Sequence, residues 1–265
     1  MDTTDRKQYW NRSYLEYWKS RVDESADPGN QSGIVHGDAK TEGDEVYERV
    51  FAEHQPHAGS ILDVGCAWGR MFPMLKNIGL RITGVDISQA MIDQAKKDWG
   101  SDPAIAQLIE TEAESMPLPD NYFDNVACLA VFDALYQNRA LQEFFRVLKM
   151  DKLLYLTGKN DLYPIDDEQA YLAEAGARRK NHPNYFTDTP TMLEQIQQHG
   201  HEIVATYFFP RRGNFAEFRA VSAMPREYYE YFVVIRKRAG YRPFEAFSSD
   251  FSKTFRKRAE TESTT

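Results

Sequence analysis

The stretch ILDVGCAWGR, Ile61 to Arg70, decides how this 265-residue chain is read. Its first four residues form a short apolar run, which reads as a buried strand. The run ends at Gly65 and Gly69, and helical spacing follows at Met71, Met74, Leu75 and Ile78. Strand, glycine turn and helix in that order let backbone approach a ligand closely and point free helix N–H groups at it. Twenty-one residues after Gly65, Asp86 stands at the end of a second strand in GVDIS, where a carboxylate can take both hydroxyls of a ribose. The Gly-x-Gly-x-x-Gly fingerprint of dinucleotide folds is absent.

Outward from this stretch the chain alternates. Residues 81–85 predict a second strand, and Ser88 predicts the cap of a helix reaching Asp98. Residues 104–110 predict a third strand, 123–131 a fourth, 138–148 a helix and 152–158 a fifth strand. Such alternation implies βαβ units and a mostly parallel sheet. Residues 167–179 read as a helix, and another begins at Thr189 or Thr191. HEIVATYFF (201–209) and YYEYFVVIR (228–236) read as strands able to pair as an antiparallel edge. Residues 1–44 are expected to form a helical cap and a glycine-rich loop, 45–240 the main domain with an insertion at 160–187, and 241–265 a basic, partly disordered tail.

Composition limits the function. An AVILMFWYC content of 42% supplies a core, which excludes a disordered chain. No apolar run approaches the ~20 residues of a membrane span, and the N-terminus lacks a signal core, so a soluble cytoplasmic protein is expected. Cys66 and Cys128 lie in apolar stretches and read as buried hydrophobes. The net charge of −8 argues against a general nucleic-acid partner. The charge is uneven: residues 1–210 carry −13 and residues 211–258 carry +7.

Five motifs resemble, in order, those of class I S-adenosylmethionine-dependent methyltransferases: ILDVGCAWGR, GVDIS, TEAESMPLPDNYFDNV (Thr111–Val126), LAVFDAL (Leu129–Leu135) and EFFRVLK (Glu143–Lys149). The resemblance covers residues 55–160. It implies a Rossmann-like α/β fold with a seven-stranded, mostly parallel sheet, an N-terminal helical cap and a helical insertion after the fifth strand. S-adenosylmethionine is the implied cofactor. In such an enzyme Asp63 supports the glycine turn near the methionine amino group, Gly65, Cys66 and Ala67 line that moiety with backbone, and Gly69 keeps the turn open to the cofactor. Asp86 takes the ribose diol, Ile87 packs on adenine, Glu112 and Ala113 meet the adenine amino edge, and Leu129 holds the ammonium with its carbonyl. In relatives with a similar leading Tyr-Trp segment the first helix folds over the cofactor, which makes Tyr14 a candidate for the methionine carboxylate. Taken alone, Asp63 also reads as a helix-capping carboxylate.

Three departures stand out. Ala67 replaces a frequent Gly, Lys149-Met-Asp-Lys152 replaces a Lys-Pro-Gly-Gly turn, and Asp133 stands where many relatives carry His. Asp133 is therefore read either as a base or as a helix cap. Of six histidines, His54, His57, His199 and His201 read as surface or turn residues, leaving His36 and His182 as candidate bases. Arg178, Arg179, Tyr185 and Arg211 form a candidate site for an anionic acceptor. The function expected is methyl transfer to O or N of a small molecule or glycan, anionic if the arginines bind it, with a homodimer as the candidate assembly. Protein or nucleic-acid methylation and non-catalytic cofactor binding are the rival readings. No carboxylate cluster suggests a metal.

Overall fold

The computed structural model describes residues 3–14 and 44–263. At the centre lie β1 (Ser60–Val64), β2 (Arg81–Asp86), β3 (Ile105–Glu110), β4 (Phe123–Cys128) and β5 (Leu148–Lys159), all parallel. With β7 (Glu202–Phe209) and β8 (Glu230–Arg236) they make one seven-stranded sheet, ordered β3-β2-β1-β4-β5-β8-β7. The strand β8 runs antiparallel between β5 and β7, so the two late strands do pair, with β7 at the edge.

Successive side chains on the strands feed two opposite core layers. Leu62, Val126, Leu154 and Val233 join one layer, and their neighbours Ile61, Ala127, Leu153 and Phe232 join the other. Alternation with apolar residues on both faces is what a sheet covered on both sides requires. The helices α5 (Gln137–Val147) and α7 (Thr189–Gln198) cover the first layer through Phe144, Phe145, Met192 and Ile196. The second is covered by α2 (Asp44–Glu53) through Val46, Val50 and Phe51, and by α3 (Phe72–Asn77) through Phe72 and Leu75. Each such side chain contributes about 1.5–3 kcal/mol on burial.

The chain winds outward from β1 to β3, then returns to β4 on the other side of β1. The carboxyl ends of β1 and β4 therefore diverge at a topological switch point, where open α/β sheets place their ligand crevice. Before the sheet, α1 (Thr3–Gln8) continues into a π-helical turn, Tyr9–Tyr14. Helix α4 (Gln89–Trp99) follows β2 with Ser88 as its cap, as the sequence predicts; its side chain accepts the Met91 N–H. The insertion carries α6 (Glu168–Arg179), capped by Asp167, and the short β6 (Phe186–Thr187).

Two expectations change. Residues 241–263 are packed rather than a loose tail. Ser248–Ser249 form β9 against β6, Phe244 and Phe247 enter the first core layer, and α8 (Lys253–Ser263) follows. Recurring Phe residues supply the apolar face that a count of basic residues obscures. His201, read as a turn residue, is buried and stacks on the Phe145 ring at 3.9 Å. The missing Pro-Gly turn after α5 is replaced by a distant lysine. Asp151 adopts φ +62, and the buried Lys237 donates to Asn121 Oδ1 at 2.8 Å and the Leu148 carbonyl at 2.6 Å.

Candidate active site

The turn after β1 is held by β2. The Gly65 and Cys66 N–H groups both donate to the Val85 carbonyl, at 2.8 and 3.0 Å. Gly65 takes φ +71, and a Cβ there would meet both Val131 methyls at 2.5 Å, so the turn requires glycine. Ala67 also lies in the left-handed region, at φ +48. Asp86 offsets that strain: Oδ2 accepts the Ala67 N–H at 2.9 Å, and Oδ1 accepts the Ser88 N–H at 2.8 Å. Enclosure pushes the Asp86 pKa up to about 6 even though these N–H groups pull it down.

Asp63, in β1, is 2% exposed, and its Oδ2 has no hydrogen-bond partner among the described residues. Burial first, and then the Asp86 charge, push its pKa up to about 7 against the pull of Arg70. A buried, under-satisfied carboxyl beside a second acid is costly in isolation. It suits a ligand bringing positive charge and hydroxyl donors, so these residues fit the ammonium and ribose of S-adenosylmethionine.

The turn opens into a cleft of about 800 Å³ walled by Gly65, Ala67, Asp86, Ile87 and Ala113 on the sheet side. Val131, Asp133 and His182 form the opposite wall, and Arg6 and Trp10 close it from the N-terminal helix. That helix is pinned at three places. Arg6, 1% exposed, pairs with Glu114 at 2.8 Å and lies 4.5 Å above the Tyr136 ring. Lys7 pairs with Glu110 at 2.9 Å. Asn11 Oδ1 accepts the Ser88 hydroxyl at 3.1 Å and the Ala90 N–H at 3.3 Å.

His182 comes from the insertion. Its Nδ1 is 2.8 Å from the Tyr9 hydroxyl, and the Trp10 ring lies edge-on at 5.2 Å. Burial, then the nearby Lys159 cation, depress its pKa to about 4. Lys159 ends β5 and ties the two sides together. Its Nζ is 2.9 Å from Asp133 Oδ2 and 3.6 Å from Glu174 Oε1, and the Tyr229 hydroxyl donates to Glu174 at 2.6 Å. Burial works against the lysine charge, but the two carboxylates hold its pKa well above the usual range. Asp133 is thus an ion-pair partner within a 3₁₀ turn and caps no helix.

The predicted residues divide. Gly65, Ala67, Asp86, Ile87, Ala113, Asp133 and His182 meet at the cleft. Cys66 is buried behind the turn, where burial pushes its thiol well up. A Cβ on Gly69 would meet Phe72 and Trp99, so this glycine serves helix packing. The Leu129 side chain is buried in the second core layer, and its neighbours Ala130 and Val131 line the cleft. Glu112 is half-buried off the wall, between Thr111 and Ala113, which line it. The Tyr14 side chain and His36 lie outside the described residues.

Arg178 and Tyr185 line a second cavity of about 710 Å³ that shares His182 with the cleft. Arg179 is exposed, and Arg211 is drawn to an exposed pair with Asp166 at 2.8 Å; neither lines either cavity. Sequence reasoning missed Arg6, Lys159 and Glu174. Lys159 carries a signal, a cation closing the apolar strand LLYLTG at the carboxyl edge where such folds bind ligands. Arg6 carries none. Among the described residues no group of three His, Cys, Asp or Glu is placed to hold a metal, and no helix is long and apolar enough to cross a membrane.

Residues 62–156 match the family described as a methyltransferase domain. The mitochondrial ubiquinone biosynthesis O-methyltransferase of Schizosaccharomyces pombe is 34% identical over 94 residues, covering 34% of each chain. The malonyl-[acyl-carrier protein] O-methyltransferase of Yersinia pestis is 26% identical over 172 residues, 64% of this chain and 62% of that one. The chain thus spans less than two thirds of the length of either relative. Among solved structures, the [4+2]-cyclase SpnF superposes with a TM-score of 0.61 at 17% identity, covering 88% of this chain and 97% of that one. An S-adenosylmethionine-dependent methyltransferase of Mesorhizobium loti gives 0.55 at 18% identity, over 72% and 98%. The segment 62–156 carries the methyltransferase-domain sequence, and the chain has the Rossmann-like methyltransferase fold.

Proposed function

We propose that this protein is an S-adenosylmethionine-dependent methyltransferase acting on a hydroxyl of a small-molecule acceptor. The carrying observation is the left-handed glycine turn, locked by Asp86 and opening on a cleft closed by Trp10 and His182. The O-methyltransferase names of the two relatives support oxygen as the attacked atom. The cofactor, when bound, supplies an electrophilic methyl group on a sulfonium and a neutral thioether leaving group.

The chain supplies alignment, water exclusion and a proton acceptor. Asp63 and Asp86 meet the cationic and hydroxyl ends of the ligand, and Trp10 lines the cleft from the N-terminal segment. His182, neutral at physiological pH, lines the cleft beside Asp133 and takes the acceptor's hydroxyl proton as the acceptor oxygen forms its bond to the methyl carbon and the thioether leaves. Lys159 pairs with Asp133 at 2.9 Å and holds that side chain in place. A positioned base is typically worth ~10²–10⁴-fold.

The [4+2]-cyclase on a similar fold means that binding alone would not establish transfer. The test is transfer of a labelled methyl group from S-adenosylmethionine to a small-molecule extract, read by mass spectrometry, with calorimetric titration of S-adenosylhomocysteine alongside. Label in small molecules is the expected result. Tight binding with no transfer to any fraction would overturn the reading.

A further inference from the structure

We propose that Tyr9 is a positioning residue: its hydroxyl oxygen accepts the His182 Nδ1–H and so leaves the Nε2 lone pair to take the acceptor's proton. The proposal rests on the methyltransferase reading above. A neutral imidazole acts as a base only through the nitrogen that carries no hydrogen, and the bond made by the other nitrogen sets which one that is. Here Nδ1 lies 2.8 Å from the Tyr9 hydroxyl. A phenol hydroxyl can donate or accept, so this contact alone permits both tautomers. The other edge of the ring decides between them. Nε2 meets no acceptor among the described residues. In a half-buried ring, an N–H without a partner costs more than a bare lone pair. The Nδ1–H tautomer places the ring's one hydrogen on an acceptor. Its bond to Tyr9 also strengthens once the acceptor's proton reaches Nε2, because the imidazolium is a charged donor.

The surroundings of Tyr9 hold this geometry. The Tyr9 and Trp10 rings both stand edge-on to the imidazole, with centroids at 5.4 and 5.2 Å and planes at 78° and 74°. They are also edge-on to each other, at 5.2 Å and 87°. Three rings braced in this way fix the imidazole plane from two successive residues of one segment. On one side of Tyr9, Arg6 and Lys7 pair with Glu114 and Glu110. On the other, Asn11 accepts from Ser88 and Ala90. Asp86, which meets the ribose, accepts the Ser88 N–H. The loop that seats the cofactor therefore also seats the tyrosine that aligns the base.

The test uses the full chain loaded with S-adenosylhomocysteine, with histidine rings labelled with ¹⁵N. Long-range proton–nitrogen NMR correlations near neutral pH report which ring nitrogen carries hydrogen, and His182→Gln identifies the His182 signals by their loss. Tyr9→Phe removes the oxygen and keeps the ring. The parent is expected to show Nδ1–H, and Tyr9→Phe a shift toward the Nε2–H tautomer. With that shift, labelled-methyl transfer to the small molecules of the extract slows about fivefold to tenfold. The loss stays short of the ~10²-fold of a missing base, because a fraction of the rings is still competent. Nε2–H in the parent, an unchanged tautomer in Tyr9→Phe, or a changed tautomer at an unchanged rate overturns the proposal. So does a loss of more than threefold in S-adenosylhomocysteine affinity by calorimetry, which would make Tyr9 part of the cofactor seat. No transfer by the parent overturns the methyltransferase reading and the base role with it, whereas the tautomer alone decides the Tyr9 contact.

Discussion

Replacing Gly65 by Ala tests the turn on which the site is built. The added Cβ faces two costs. At φ +71 an L-residue sits in the left-handed region, at about 1–2 kcal/mol. The same carbon comes within 2.5 Å of both Val131 methyls, and overpacking of this kind costs about 1–3 kcal/mol. Together they make roughly 2–5 kcal/mol, a large part of a typical ~5–15 kcal/mol stability. In a chain of this size that lowers Tm by roughly 5–15 °C, measured by scanning calorimetry. Val131 lines the cleft, so the way it yields matters. Displaced inward, it narrows the cleft, and S-adenosylhomocysteine affinity falls more than tenfold by calorimetric titration. The double variant Gly65→Ala/Val131→Ala keeps the dihedral strain and removes the collision. It should recover about half of the lost stability relative to Val131→Ala alone. A Tm within 2 °C of the parent for Gly65→Ala, or no recovery in the double variant, would refute the reasoning.

The two buried acids make a pH prediction. Asp63 and Asp86 hold their protons to about pH 7 and 6, well above an unfolded carboxyl, so stability falls as pH rises from about 4 to 7 and is level above. Asp63→Asn removes most of that slope in urea titrations; an unchanged slope counts against the assignment. Proton release on binding a cationic ligand should also make S-adenosylmethionine affinity rise between pH 6 and 7.5. His182→Gln should lower kcat about 10²-fold or more with S-adenosylhomocysteine affinity unchanged, since the imidazole works on the acceptor. Because His182 stays neutral down to about pH 4, kcat at saturating cofactor should show no histidine limb near pH 6.5; such a limb would assign the base elsewhere. Arg6→Met leaves Glu114 buried without its cation, so the N-terminal helix should detach before the core unfolds. Faster amide exchange over residues 5–12, with strand exchange unchanged, is the expected result.

The sheet was legible because its signal is local. Apolar runs, glycine turns and caps lie within a few residues, and Ser88 and Asp167 cap the helices that follow them. The sheet side of the cleft was legible for the same reason: Gly65, Ala67 and Asp86 sit at the ends of adjacent strands. The opposite wall depends on contacts remote in sequence. Lys159 meets Asp133 and Glu174, and Arg6 meets Glu114, through tertiary approach alone. No spacing rule marks a buried ion pair whose partners are far apart in the chain. The Glu112 side chain stands between the two residues, Thr111 and Ala113, that line the cleft.

The charge asymmetry of the sequence also serves the fold. The basic last third was read toward an anionic ligand, yet its cations meet acids of the insertion and its surroundings. Arg211 pairs with Asp166, Arg258 with Glu168, and Lys253 with Asp161 at 2.7 Å and Asp188 at 3.3 Å. Each of these pairs keeps at least one partner in solvent, and such pairs contribute about 0–1 kcal/mol each, too little to hold a segment down. Phe244, Phe247 and Phe255, each 9% exposed or less, supply the docking energy. The ion pairs choose where the segment lands. That landing sets β9 against β6 and brings Asp250 and Phe255 to the cavity that His182 closes. The opposite charges of the two parts of the chain thus act on each other, and their product is the shape of the cavity beside His182.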